Sequence, residues 1–464
     1  MPILQASLRK TKKLDAQYLA KTKVPLVTVS GTYREDLKGL HHLPENDLAH
    51  DVVFSRAHYS MAIGTAVAAW KNKLDPAEAW IVDPTNYVSG KKWSSIVTTE
   101  LIGKILARYS MLKKLKDLVD KFGRQKLPIL ASITPPLLKL TADIKKPILS
   151  FHIAAGNILL EKKKTVFQMI TDPHVREDYL ANSEKKHAFY GVFDEKTKAE
   201  FMDKAKKLNK EVDEHRVIVT GPPIDPRVLE ARNHKSPWNT RKPLKICITT
   251  GGLGTNKTEI KKILKQLLPE LKKNKPHFEL TVYAGTQGDI KDMVIDKARK
   301  SGVLYTEINP VDPAQFEIGK KVTLKKEIVN HHPNAPLKIL YHPQIIDANE
   351  LLVAFGFPWA DIFISKPSGD MAYDAVACGA ALLTLAEWGE WEHNIRIKME
   401  GHKVSQVADV DNIVEQLEKI THATPKKSAW VHEAQHIART IEKQDKYFRV
   451  GAKNILKAVK RVGR

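Results

Sequence analysis

The sequence predicts an α/β protein built as two doubly wound domains. Three observations carry that expectation: the chain length, the alternation of short β-branched runs with helical stretches, and a charged, proline-bearing segment midway along the chain. At 464 residues the chain exceeds the size at which one hydrophobic core keeps growing, so two domains of roughly 200 residues each are expected. A hydrophobic share of 42% with 28% charged residues is that of a globular protein, neither disordered nor fibrous.

The alternation is clearest in the second half. Runs at 245–250, 278–285, 303–308, 338–344, 361–365 and 381–387 read as strands, and between them lie amphipathic stretches such as 259–271, with Ile260, Ile263, Leu264, Leu267 and Leu268 on one face. The first half repeats the pattern at 51–55, 78–83, 148–153, 165–170 and 217–221. Residues 228–243 carry charge and two prolines but no apolar period, and read as the linker, while 309–336 reads as an insertion loop. The expected organisation is therefore 1–235 and 236–440 as the two domains, followed by 441–464 as a basic amphipathic helix packing through Phe448, Ala452, Ile455, Leu456 and Val459.

Lys and Arg outnumber Asp and Glu, 75 to 53, and the net charge of +22 favours anionic partners such as nucleic acid, acidic lipid head groups or phosphorylated substrates. Only two cysteines are present, Cys247 and Cys378, each in or beside an apolar run. A disulfide framework and a cysteine metal site are thereby excluded, and a reducing, cytoplasmic compartment is expected. No apolar run approaches the length of about 20 residues that spans a bilayer, and the N-terminal residues lack a signal-peptide pattern. Membrane contact is expected to be peripheral, at the inner face.

Two stretches carry chemistry. In 248–260 a strand runs into Gly251, Gly252 and Gly254 and then into a helix, where glycines admit an anion close to the backbone and the first helical N–H groups favour phosphate. In 365–394 a strand ends in Pro-Ser-Gly, a helix begins near Asp370, Asp374 lies about one turn into it, and a second strand leads to a polar loop with Glu390, Glu392, His393 and Asn394. Ligands of open α/β sheets lie at the carboxyl ends of strands. Such a site offers amides to a diphosphate and a carboxylate to two ribose hydroxyls.

The second stretch resembles the donor-binding half of the GT-B glycosyltransferases that include the lipid II-forming N-acetylglucosaminyl transferase, the monogalactosyldiacylglycerol synthases and diacylglycerol glucosyltransferases. Lys366, Pro367, Gly369, Ala375, Ala377, Gly379, Gly389 and Asn394 match that family's pattern, and Asp374 stands where its ribose-binding glutamate stands. Ser368, Met371, Tyr373 and Glu390 depart from it, replacing Gly, Thr, Ser and Gln. Residues 54–62 resemble the family's Gly-Gly-Gly-His turn, with His58 at the histidine, Ser60 and Met61 before the helix, and Arg56 and Ala57 in place of glycines. Residues 169–174 and 217–228 resemble two further segments, so the resemblance covers most of 48–420 with its motifs in order.

The resemblance implies two Rossmann-like domains facing a cleft, with a UDP-sugar as co-substrate, no other cofactor, and donor-binding roles for Gly251, Gly252, Gly254, Lys366, Ser368, Gly369, Asp370, Asp374, Glu390 and Asn394. It implies a lipid or polyprenyl-linked acceptor at an anionic membrane surface, and makes His58 the base for the acceptor hydroxyl, with Asp172 as the alternative. No metal is expected. Asp409-Val410-Asp411 directly precedes a helical pattern, so Asp411 reads as a helix cap, and the His41-His42 and His331-His332 pairs lack accompanying ligands. The basic, partly apolar stretch 102–122 is the candidate membrane contact. Three other readings remain open: a nucleotide-sugar epimerase of the same fold, a nucleic-acid-binding protein, for which no recognised motif is found, and a catalytically silent GT-B scaffold, which the missing glycines near His58 keep open.

Overall fold

A computed structural model of the chain describes residues 2–32, 56–88, 92, 128–251, 254–273, 277–310, 318–321, 326–329, 332 and 335–463. The chain divides into two compact units: Met1–Pro226 with Phe316–Val322 and Arg449–Arg464, and Arg227–Gln315 with Thr323–Phe448. Each is a parallel sheet with helices packed on it.

The first unit holds strands β1 (Val24–Val27), β2 (Ala79–Val82), β3 (Ile148–Ser150), β4 (Val166–Met169), β5 (Ala188–Val192) and β6 (Val217–Val219), in the spatial order β2-β1-β3-β4-β5-β6. All five pairings are parallel. The strand order reverses at β1, and in open α/β sheets ligands bind at the carboxyl ends of the strands that flank such a point, here β1 and β3. Four expected strands are found, whereas 51–55 lies outside the described residues. The patterns of β1 and β5 escaped the sequence reading. Pro25 argues against a central strand because it cannot donate to a ladder. Yet β1 is central, and it tolerates the proline because its pairing with β3 begins only at Leu26.

The C-terminal helix Gly451–Val462 packs into this unit, burying Ala452, Ile455, Ala458 and Val459; it is shorter than the expected 441–464, Phe448 precedes it and belongs to the second unit, and Leu456 is half-buried. Its first residue comes so close to the chain that a Cβ on Gly451 would stand 2.0 Å from the Pro222 carbonyl oxygen. Asn454 Nδ2 donates to Thr220 O at 3.0 Å and fixes the same approach.

The second unit holds β7 (Leu244–Thr249), β8 (Phe278–Gly285), β9 (Tyr305–Pro310), β10 (Lys326–Val329), β11 (Leu337–Tyr341), β12 (Ile362–Ser365), β13 (Ala381–Thr384) and β14 (Ser405–Val407), in the order β10-β9-β11-β8-β7-β12-β13-β14. Every pairing is parallel except that of β10 with β9. β10 comes from the segment expected to be an insertion loop, and three-residue β14 was not anticipated. Here the order reverses between β7 and β12. Both faces are covered, so the strands are continuous apolar runs: β12 and β13 are buried throughout.

Two sequence expectations are corrected here. Residues 228–243 are not a linker. Val228 and Ala231 are buried in the helix Pro226–Ala231, and Trp238 is buried in the core, where its backbone N–H donates to Gln435 Oε1 at 2.7 Å and its indole N–H to Lys242 O at 3.0 Å. A single buried indole gives this polar segment the apolar anchor that its periodicity lacks. Nor is Asp411 the cap of Ile413–Thr421. The N-cap is Asn412, Asp409 Oδ1 accepts its N–H at 3.0 Å, and Asp411 pairs with Lys262 at 2.8 Å.

Because backbone cannot yield as a side chain can, Gly451→Ala is expected to destabilise the fold by about 1–3 kcal/mol. Urea unfolding of wild type and variant measures it.

Candidate functional site

In the second unit the reversal of strand order brings three βα loops together at the carboxyl ends of β7, β12 and β13. The turn after β7 is closed by Gly254 N donating to Gly251 O at 2.7 Å, and Gly254 has a positive φ of 62°, a conformation that favours glycine. Gly251 lies against the loop after β12: a Cβ there would meet Lys366 Cδ at 3.1 Å. Gly252 lies outside the described residues. Thr249 Oγ1 donates to Ser365 Oγ at 2.6 Å, tying the last residues of the two strands. The third loop joins through Asn256, whose Nδ2 donates to Ala386 O at 3.2 Å, and through Glu259, whose Oε1 accepts the Ala386 N–H at 3.2 Å.

At the centre is an ion pair. Lys366 Nζ stands 2.5 Å from Glu392 Oε1, with side chains only 10% and 2% exposed. Glu392 Oε2 accepts the Trp388 N–H at 2.7 Å, and the Lys366 ammonium lies 5.4 Å from the centroid of the Trp388 ring. One carboxylate therefore joins the loop after β12 to the loop after β13. Burying an ammonium is tolerable only with such a partner.

The remaining expected donor residues take distinct places. Ser368 Oγ donates to Asp370 Oδ1 at 2.7 Å and accepts the Met371 N–H at 3.3 Å, closing the turn before the helix Met371–Ala377. Asp370 is the N-cap residue, Gly369 is buried, and Asp374 is buried one turn on, its N–H donating to Asp370 O at 2.9 Å. Glu390 is exposed at the start of the helix Glu390–Gly401, and Asn394 is half-buried on it. The carboxylate that faces Lys366 is thus Glu392. Sequence spacing signals it weakly: it lies two residues after Glu390, on a different face of the helix.

The first unit presents a second cluster at its own reversal of strand order. His58 is half-buried in the first turn of the helix Arg56–Trp70. The expected loop up to Met61 is corrected, because Ser60 and Met61 are already helical. They are buried among apolar neighbours, and that burial favours continuing the helix. His152, two residues beyond the end of β3, was missed by the sequence reading because the run 148–153 reads as strand. Its ring stands edge-on to His58, with centroids 4.9 Å apart and planes at 84°. Burial above all, then His58 and Arg176, holds the His152 pKa well below the usual imidazole value. Asp172 lies half-buried in the loop after β4, beside Tyr179, whose hydroxyl has its pKa raised chiefly by burial. Next along, His174 Nδ1 faces Glu200 Oε1 at 3.1 Å. Burial acts against ionisation of Glu200, but hydrogen bonds from His174 and Lys204 outweigh it and hold its pKa down to about 2.

The residues that follow β1 are pinned by the residue that follows β2. Asp83 Oδ2 accepts the N–H groups of Ser30 and Thr32, both at 3.0 Å, and Oδ1 accepts the Thr85 N–H at 2.9 Å. Among the described residues no three His, Cys, Asp or Glu side chains gather as a metal site, and no described helix is long and apolar enough to cross a membrane. The stretch 102–122 and His41, His42 and His331 lie outside the described residues.

No protein-family model matches the sequence, and no curated protein matches it. Solved structures do. An α,α-trehalose-phosphate synthase (UDP-forming) from Burkholderia xenovorans, in complex with glucose-6-phosphate, is similar with TM-score 0.52 at 10% identity, covering 94% of this chain and 100% of that one. The α,α-trehalose-phosphate synthase (UDP-forming) from Burkholderia vietnamiensis gives TM-score 0.50 at 11% identity, over 95% of this chain and 97% of its own. The UDP-GlcNAc 2-epimerase from Neisseria meningitidis, bound to UDP-GlcNAc, gives 0.48 at 12% identity, over 94% and 99%. At these identities the likeness is one of fold. The fold is of the GT-B class, with two doubly wound α/β units in one chain.

Removing one member of the buried pair strands the other. Glu392→Ala is expected to cost about 3–5 kcal/mol by leaving the Lys366 ammonium unpaired, whereas the double variant Lys366→Met/Glu392→Leu recovers most of that loss. Chemical denaturation of the three proteins measures both effects.

Proposed function

We propose that the chain is a metal-independent glycosyltransferase that moves a hexosyl group from a UDP-sugar to a lipid or polyprenyl-linked acceptor. The observation that carries this reading is the convergence of three loops on the buried Lys366–Glu392 pair where the strand order of the second unit reverses. Ligands of doubly wound sheets bind at such points, and Lys366 offers a fixed positive charge to a departing diphosphate.

In this reading the turn of Gly251, Gly252 and Gly254 lets the backbone approach the diphosphate, and Ser368, Gly369 and Asp370 form the opposite wall. Asp374 accepts the ribose hydroxyls, while Glu390 and Asn394 meet hydroxyls of the transferred sugar. The bond from the anomeric carbon to the diphosphate oxygen breaks, and one to the acceptor oxygen forms. The acceptor proton passes to His58, with Asp172 as the alternative base, and UDP leaves with the electron pair. Acting on a lipid-linked substrate calls for a peripheral membrane contact, for which the net charge of +22 and the basic stretch 102–122 are suited.

Two variants separate donor binding from chemistry. Asp374→Ala is expected to weaken UDP binding roughly ten- to hundredfold, about 1.5–3 kcal/mol for a lost charge-assisted hydrogen bond. His58→Ala is expected to leave UDP affinity unchanged and to lower turnover by about 10²–10⁴-fold. Calorimetric titration and a transfer assay read the two quantities. Unchanged UDP affinity in Asp374→Ala removes that residue from the site, and release of an epimerised sugar without any acceptor replaces the transferase reading with the epimerase one.

The lipid part has its own test. Co-sedimentation is expected with anionic vesicles and not with neutral ones, falling as salt screens charges beyond about 10 Å at 0.1 M, and it is expected to weaken in Lys113→Glu/Lys114→Glu. Pelleting with neither vesicle shifts the acceptor to a soluble one.

A further inference from the structure

His152 occupies a position that neither packing nor capping explains. It sits at the reversal of strand order in the first unit, two residues beyond the end of β3, and hydrogen bonds hold the backbone there. Ser150 Oγ donates to its carbonyl oxygen at 2.9 Å, Gly156 N donates to the same oxygen at 3.0 Å, and Phe151 N donates to Val27 O at 3.0 Å. Behind it, Gln168 Nε2 donates to Ser150 O at 3.2 Å, and the helix packs so closely there that a Cβ on Gly156 would stand 1.8 Å from Gln168 Oε1. Although His152 is the N-cap residue of Ile153–Glu161, its side chain makes no capping bond, and its buried Nδ1 has no hydrogen-bond partner among the described residues. A buried polar atom without a partner is costly and calls for a reason.

The ring instead meets His58 edge to face, 4.9 Å between centroids. We propose that His152 is the positioning residue of the candidate base: its ring, at right angles to that of His58, sets the plane of the His58 imidazole. The other charged group bearing on His152 is Arg176, which follows β4 and acts on Tyr179 as well. Burial, His58 and Arg176 all oppose a charge on His152, so its ring stays neutral beside His58. The catalytic half of this inference rests on the glycosyltransferase reading, whereas the pairing does not.

Proton NMR of ring C–H groups in histidine-labelled protein tests the pairing without substrate, with His58→Ala and His152→Phe assigning the two signals. In wild type, the His152 signal is expected to stay flat between about pH 5 and 8. In His58→Ala the His152 midpoint is expected to rise, because both a like charge and a covering ring are gone. Two independent titrations near the usual imidazole value in wild type, or a His152 signal indifferent to His58→Ala, overturn the pairing.

The transfer assay tests the role. His152→Ala is expected to lower kcat at least tenfold at unchanged UDP affinity, and His152→Phe, which keeps a neutral ring, to restore most of it. If Phe fails as fully as Ala while remaining folded by its NMR spectrum, positioning by the ring is refuted. If His58→Ala itself retains turnover, the base assignment falls while the NMR result still decides the pairing.

Discussion

Everything of chemical interest in this chain depends on one constraint, that the strands of each sheet, β10 at the edge excepted, run parallel and so deliver their outgoing loops to one edge. Where strand order is consecutive, successive helices close over the loops. Where it reverses, neighbouring loops leave in opposite directions and an opening remains. Each unit has such a reversal at the loops described above, between β1 and β3 and between β7 and β12. The Gly251 turn and Lys366 stand at one, and His152 at the other.

Polar groups placed at these openings are partly withdrawn from water, and the protein satisfies each in a different way. Lys366 keeps its charge by pairing with Glu392, which in turn orders the loop that carries Trp388. Asp83 is buried, which raises its pKa, and it is held by hydrogen bonds from Thr85 and Thr32 that act the other way. His152 has no such donors at Nδ1, and burial leaves it neutral. Charge is retained where a partner can be supplied from an adjacent loop and given up where it cannot.

The loops after β7 and β12 were legible as turns because their chemistry is local. Gly251, Gly254, Ser368, Gly369, Asp370 and Asp374 lie within a few residues of a strand end, and turns and helix starts are written in short stretches of sequence. Glu392 was harder to read. Glu390 and Glu392 are equally acidic in the string, and only the helical rotation of about 100° per residue turns the second of them toward Lys366. His152 was hidden for a different reason: a histidine ending an apolar run reads as strand, and nothing local announces His58, far away in sequence, as its neighbour.

By itself the sequence determined the α/β class, most of the strands, the packing of the terminal helix and the existence of a glycine-rich turn, because each follows from periodicity or backbone preference over a few residues. Tertiary structure decided the rest. It made a central strand of Val24–Val27 despite Pro25, packed the supposed linker around Trp238, gave the capping position to Asn412 and chose Glu392 as the partner of Lys366. Each of these outcomes depends on which distant groups share a buried volume. Burial and pairing are properties of that volume, and neighbouring residues in the chain cannot specify it alone.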